Sequence, residues 1–214
     1  MTTAQPKPRQ LRESATHTKT EPTWEIAYLY PLQGTWSEEE YMALRPSRII
    51  EYSHGHLEVH DMPSQAHQFI LLFIYRLLHS FVEARKLGAV AVAPLRVKLW
   101  SEKYCEPDIV FMLAEHASRR GNDYWQGADL AAEIVSEGDD SRERDLQKKR
   151  EEYAQAGIAE YWIVDLQKRL ITVLRLQGEQ YALRGEFKAG ETATSALLPG
   201  FSVNVTDVFA AAEL

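Results

Sequence analysis

The chain has a single cysteine, Cys105. That excludes a disulfide framework within the chain and a cysteine-based zinc cluster, and it fits a reducing compartment, with the cytoplasm as the expected location. Long apolar runs are missing too. No stretch approaches the roughly 20 apolar residues of a membrane-spanning helix, and residues 1–22 hold no apolar core of the kind a signal peptide needs. Positive charge is short, with 24 Lys+Arg against 31 Asp+Glu and a formal net charge of -7. An acidic protein exerts no long-range pull on a phosphate backbone, so a nucleic-acid partner has to be met by a local basic patch or through metal ions held by the surplus carboxylates.

What is present suffices for one core. With 214 residues, 45% of them hydrophobic, a single domain is expected over residues 23–214, behind a tail (1–22) whose Thr, Pro, Gln and charge predict disorder. Ser37 and Glu40 have capping-box spacing at the start of a helix over 37–44, which Pro46 closes. A hairpin follows, with strands at 49–52 and 57–59 around Gly55 and with Glu51 on its first strand. Residues 64–85 lack Pro and Gly and are apolar on most sides, which predicts a core helix with His67 in its first turn. The histidines at 54, 56 and 60 are expected on the exposed hairpin. Strands are read at 89–93, 95–99, 108–113 and 130–135. A helix over 142–156, capped by Ser141 and ended by Gly157, leads to strands at 161–164 and 170–176 and to a last short strand and helix. This order predicts an α/β (α+β) fold with a mixed β-sheet flanked by helices.

Two carboxylates stand out against that pattern. Glu133 lies inside the apolar strand Ala132-Glu133-Ile134-Val135, and Asp108 opens the run Asp108-Ile109-Val110-Phe111. A buried charge costs several kcal/mol unless it is paired or holds a metal, so the two form a candidate metal site, with neighbouring Ile134 counted among the metal-binding positions. Glu133 and Val135 share a strand face, so a lysine at 135 could have oriented an attacking water, whereas Val135 cannot. Asp145, Lys149 and Tyr153 are spaced by four and form one helical stripe just beyond the Glu133 strand, so Lys149 can reach the site from the side. Lys148 points about 100° away. Each residue also has a plainer reading: Asp108 bonded to local backbone, Glu133 paired across the sheet, Lys149 on a solvated face, Tyr153, Tyr161 and Trp162 as core, and Glu51 and His67 as structural groups.

The runs Glu106-Pro107-Asp108-Ile109-Val110 and Ala132-Glu133-Ile134-Val135-Ser136, then Asp145, Lys149, Tyr153 and Gly157-Ile158-x-Glu160-Tyr161-Trp162-Ile163-Val164-Asp165, resemble the Uma-two family of bacterial endonucleases. That family falls in the PD-(D/E)XK restriction-endonuclease-like superfamily, and the resemblance spans residues 41–209. It implies a restriction-endonuclease-like core and Mg²⁺-dependent cleavage of DNA, with Mn²⁺ as a substitute. Asp108 and Glu133 match the family's acidic motif positions and Lys149 its lysine displaced onto the helix. Glu51 and His67 match an upstream acid and histidine, and all five are candidate catalytic residues. Where members often carry Ser-Pro after the glutamate strand, this chain has Ser136-Glu137. A homodimer would let two sites address two strands. The rival expectations are a binding or interaction domain on the same fold without turnover, and a hydrolase of another phosphate ester.

Overall fold

Ser37 opens the first helix, α1 (Glu38–Ala43), as the spacing predicts: its side chain accepts from the Glu40 amide while Glu40 reaches back to the Ser37 amide. In this computed structural model the described residues are 31–46, 48–135, 142 and 144–213. The expected tail, Ser136-Glu137 and the cap expected at Ser141 lie outside them. Contacts group the chain into Met1–Leu32 and Gln33–Leu214, and the second unit is the subject below.

The hairpin forms with β1 (Ile50–Ser53) and β2 (His56–Val59), turning at Gly55, whose φ of +82° is one that glycine adopts without steric cost. Helix α2 (Gln65–Arg85) starts at Ser64, whose side chain accepts from the His67 amide. Then come β3 (Gly88–Val92), β4 (Val97–Trp100), β5 (Lys103–Cys105), β6 (Ile109–Leu113), β7 (Trp125–Gln126) and β8 (Leu130–Val135). The expected helix over 142–156 begins as a widened π turn (Arg144–Lys148) and continues as α3 (Lys149–Gln155), and Gly157 at φ +75° follows. The chain closes with β9 (Glu160–Asp165), β10 (Leu170–Gln177), β11 (Gln180–Phe187), β12 (Thr192–Thr194), β13 (Ser202–Asn204) and α4 (Val205–Ala210).

The expected α/β class holds, with the strands divided among three sheets. The largest has the order β11-β10-β9-β8-β6-β3, the second β2-β1-β5-β4-β7, and the third pairs β12 with β13. Strands β5 and β7, three and two residues long, are too short to show a period of two in the sequence. In the large sheet β8 lies parallel to β9 and antiparallel to β6, so the sheet is mixed. Alternation along β8 splits two cores: Leu130, Ala132 and Ile134 pack with the buried face of α2, and Ala131 and Val135 with Tyr153 and Ala154 of α3. A third, aromatic core of Trp36, Tyr41, Tyr52 and Tyr104 sits under the second sheet. Among the described residues no helix is long and apolar enough to cross a membrane.

One acid serves this framework directly. Glu160, fully buried at the start of β9, accepts from Trp162 Nε1 (2.6 Å), Ser195 Oγ (2.6 Å) and the Ala196 and Leu197 amides (2.5 and 2.8 Å). Replacing it leaves two buried and two half-buried donors without an acceptor. Glu160→Ala should therefore lose roughly 3 kcal/mol in urea unfolding with an unchanged m-value; a loss under about 0.5 kcal/mol, the level of an ordinary surface change, would contradict this role.

Candidate active site

Sheet register brings the two strand carboxylates together. The β6–β8 ladder pairs Phe111 with Leu130, Val110 with Ala131 and Ile109 with Ala132. One step further in each direction sets Asp108 opposite Glu133 on a shared face. There the ladder gives way to side-chain bonds: the Ile134 N–H donates to Asp108 Oδ2 at 2.7 Å, and the Asp108 N–H lies 3.4 Å from Glu133 Oε2.

Lys149 enters from α3. Its Nζ stands 2.8 Å from Glu133 Oε1, 3.2 Å from Glu51 Oε1 and 3.8 Å from Asp145 Oδ1. The Tyr153 hydroxyl donates to the same Glu133 Oε1 at 2.6 Å, so this tyrosine, expected as core packing, is also a polar partner. Lys149 and Glu133 are each only 3% exposed. Lys148, on the neighbouring helix face, pairs instead with Glu58 at 2.9 Å. The π turn is anchored by the Tyr161 hydroxyl, which donates to the Asp145 carbonyl at 2.8 Å.

Two further residues complete the wall. His67, in the first turn of α2, places Nε2 3.0 Å from Asp108 Oδ2, while its Nδ1 is buried without a partner. Glu51 accepts from the Glu106 amide at 3.2 Å and faces His60 Nε2 at 3.5 Å. His60 corrects one expectation: His54 and His56 are exposed, but His60 is buried, because it follows the last strand residue of β2 and turns into the site. Glu51, His60, His67 and Glu106 line one cavity of about 900 Å³ together with Asp108, Glu133, Asp145 and Lys149. His60 went unsingled in the sequence because no spacing links it to the motif residues, and Glu106, although it opens the run through Asp108, meets Glu51 only through the pairing of β1 with β5.

Burial sets the electrostatics. Desolvation, with Asp108 and Asp145 adding to it, pushes the Glu133 carboxyl up to about 8 against the pull of Lys149. Glu51 goes the other way: burial opposes ionisation, but Lys149, His60 and Arg144 hold it well below the usual carboxylate range. Burial would lower Lys149, yet Glu133, Glu51 and Asp145 keep it charged well beyond an ordinary lysine. His67 is likewise raised, since its bond to Asp108 and the charges of Asp108, Glu133 and Asp145 outweigh its burial. Neighbouring carboxyls driven apart in this way are typical of sites that handle protons.

Among the described residues no group of three or more His, Cys, Asp or Glu stands ready to hold a metal ion. Mg²⁺ asks for less, since it takes one or two carboxylates and keeps several waters. Asp108 and Glu133 offer hard oxygens in a site with more negative charge than its cations balance, and the raised Glu133 carboxyl is the form that a divalent ion would deprotonate on binding. The residues present fit such an ion. Ile134 can contribute only its backbone carbonyl, because its side chain is buried in the α2 core.

A family model, Uma2, described as "Putative restriction endonuclease", matches residues 38–206. The chain belongs to the Uma2 family. Among solved structures it is similar to a crystal structure described as "a putative nuclease belonging to DUF820" from Anabaena variabilis, with a TM-score of 0.65 and 18% identity over 85% of this chain and 99% of that one. A search of curated proteins found no match. The Uma2 match encloses every residue of the site described above.

The charge balance has a measurable consequence without metal. A carboxyl raised on folding stabilises the fold below its unfolded value near 4.5, and that contribution is lost as pH rises towards about 8. His67 acts with the same sign. The metal-free protein should lose stability between pH 5 and pH 8, by at most about 1.4 kcal/mol per pH unit for one proton, and Glu133→Gln should flatten the slope. Parallel slopes for the two proteins in thermal melts would refute this assignment.

Proposed function

We propose that the protein is a Mg²⁺-dependent endonuclease that hydrolyses phosphodiester bonds in DNA. The observation that carries this reading is the Lys149 ammonium held 2.8 Å from Glu133, which itself faces Asp108 across the sheet. Two acids and a lysine, drawn from two strands and a helix, form the combination that phosphodiester hydrolysis requires. Family membership and the nuclease-like fold support the same reading.

In this mechanism Asp108, Glu133 and the Ile134 carbonyl would hold the ion. When bound, it would neutralise charge developing on the phosphate and lower the pKa of a water. Lys149, kept protonated by Glu51, Glu133 and Asp145, presents its donors to the attacking water or to a phosphate oxygen. Glu51 fixes the lysine's position, since it stays ionised 3.2 Å away. Tyr153 fixes the Glu133 carboxyl from the other side. His67 orients the Asp108 carboxylate through Oδ2, and Oδ1 takes part in neither the His67 bond nor the Ile134 bond. Glu133 and Lys149 are themselves almost wholly shielded from solvent, which strengthens the interactions between them.

Plasmid nicking by purified protein tests the proposal. Cleavage should need Mg²⁺ or Mn²⁺ and should fall by roughly 10²–10⁴-fold in Asp108→Asn and in Lys149→Met. Because removing Lys149 leaves buried carboxylates unpaired, a folded Lys149→Arg protein with partial activity is the control. DNA binding without cleavage, unchanged by Asp108→Asn, would replace the nuclease with a binding module. In melts at pH 8, saturating Mg²⁺ should stabilise the wild type by about 2–3 kcal/mol at 100 times its Kd and leave Asp108→Asn unmoved.

A further inference from the structure

The cavity over the carboxylates constrains the form of DNA that can enter it. Depth is the first constraint. Glu133 and Lys149 are 3% exposed and Asp108 7%, so a phosphate must be lowered into the protein to meet them. The phosphates of an intact duplex lie on the outside of a wide rod.

Charge is the second. Six carboxylates and four fixed cations line the cavity, so its cations do not outnumber its acids. The basic residues that could have formed a track beside it are committed elsewhere. Arg96 donates to the Met42 and Leu44 carbonyls, Lys98 pairs with Glu38, Lys103 with Glu152, Arg142 with Asp165 and Lys148 with Glu58. Duplex DNA carries a negative charge about every 1.7 Å along its axis, whereas the cavity lining itself offers Arg48, Arg144, Lys149 and Arg169. A single nucleotide brings one or two phosphates.

The third constraint is an apolar wall. Met62 and Leu72 line the cavity yet are 69% and 46% exposed, with Pro63, Pro94 and Phe209 on the same lining. Exposed apolar side chains beside a polar floor are the surroundings that the flat face of a nucleobase seeks. Close by, His67 Nδ1 and Glu106 Oε2 are buried without hydrogen-bond partners, and His60 Nε2 has only Glu51 at 3.5 Å. Buried polar atoms without partners are uncommon and ask for a ligand with polar edges. At about 900 Å³, the space falls within the range of roughly 300–1,000 Å³ for pockets that enclose small ligands.

We propose that this site takes unpaired DNA, either a single strand or a nucleotide displaced from a duplex, with the scissile phosphate over Asp108 and Glu133 and the adjoining base against Met62 and Leu72. The inference rests on the nuclease reading and narrows it from DNA in general to DNA whose bases are free. Intact duplex is a poor substrate because it must first be opened, at a cost of a few kcal/mol per nucleotide.

The test uses the full chain and one DNA sequence presented as a single strand, as a hairpin with an unpaired loop, and as a blunt duplex. Initial cleavage rates are measured with Mg²⁺ and Mn²⁺, and binding is measured by fluorescence anisotropy with Asp108→Asn at several salt concentrations. The single strand and the hairpin loop should be cut at least 10-fold faster than the duplex. The salt dependence should be shallow, with a log–log slope near −1.5, since about two phosphate contacts to a single strand contribute about −0.7 each. Leu72→Asp, at an exposed position that should leave the melting temperature unchanged, should slow single-strand cleavage by at least 10-fold. Duplex cut as fast as single strand, or a Leu72→Asp protein of full activity, would overturn the proposal. If no DNA is cut but the single strand binds at least 10-fold tighter than the duplex, the nuclease reading falls and the preference for unpaired DNA stands. Neither cleavage nor preference would overturn both.

Discussion

One ammonium group holds the site together. Lys149 is buried among Glu51, Glu133 and Asp145, with Asp108 just beyond Glu133, and no other fixed cation approaches Glu133 within ion-pair distance among the described residues. Carboxylates taken out of water at this density repel one another and lose hydration, and the protein meets that cost unequally. Glu51 stays ionised beside Lys149, His60 and Arg144, while Glu133 keeps its proton into the alkaline range. The site is thus strained towards accepting positive charge. That strain links stability, pH and metal affinity in one quantity.

Much of this was legible in the sequence. The capping box at Ser37, the hairpin turn at Gly55, the Pro- and Gly-free helix after Ser64 and the glycine stop at 157 are local signals, and each element stands where its signal placed it. The stripe of Asp145, Lys149 and Tyr153 was equally readable, because spacing by four survives the π turn. Asp108 and Glu133 were conspicuous as charges in apolar strands, although their apposition depends on a register that only the folded sheet fixes.

What stayed hidden is what forms at long range. Strands β5 and β7 are too short to carry a pattern, so the second sheet could not be foreseen, and with it went the burial of Glu51 and the approach of Glu106 and His60. His60 looked like its neighbours at 54 and 56, yet its exposure differs because the chain turns inward one residue past β2. Spacing was equally silent on what the basic residues near the motif meet: Lys103 pairs with Glu152, Arg142 with Asp165, and Arg96 donates to the Leu44 carbonyl.

The division of labour between sheet and helix has one further consequence. Asp108 and Glu133 sit on adjacent, hydrogen-bonded strands, so their separation is as stiff as the sheet. Lys149 rides on a helix joined to that sheet through a crossover, and its reach is set by the packing of α3 and by the Tyr161–Asp145 bond. A residue inserted or deleted in the helical turn ahead of Lys149, Arg144–Lys148, would turn the lysine by about 100° and slide it by about 1.5 Å relative to that turn, taking it away while leaving the strand acids in place. The anionic half of the site is therefore placed by strand register and the cationic half by helix packing, so the two answer to different parts of the fold.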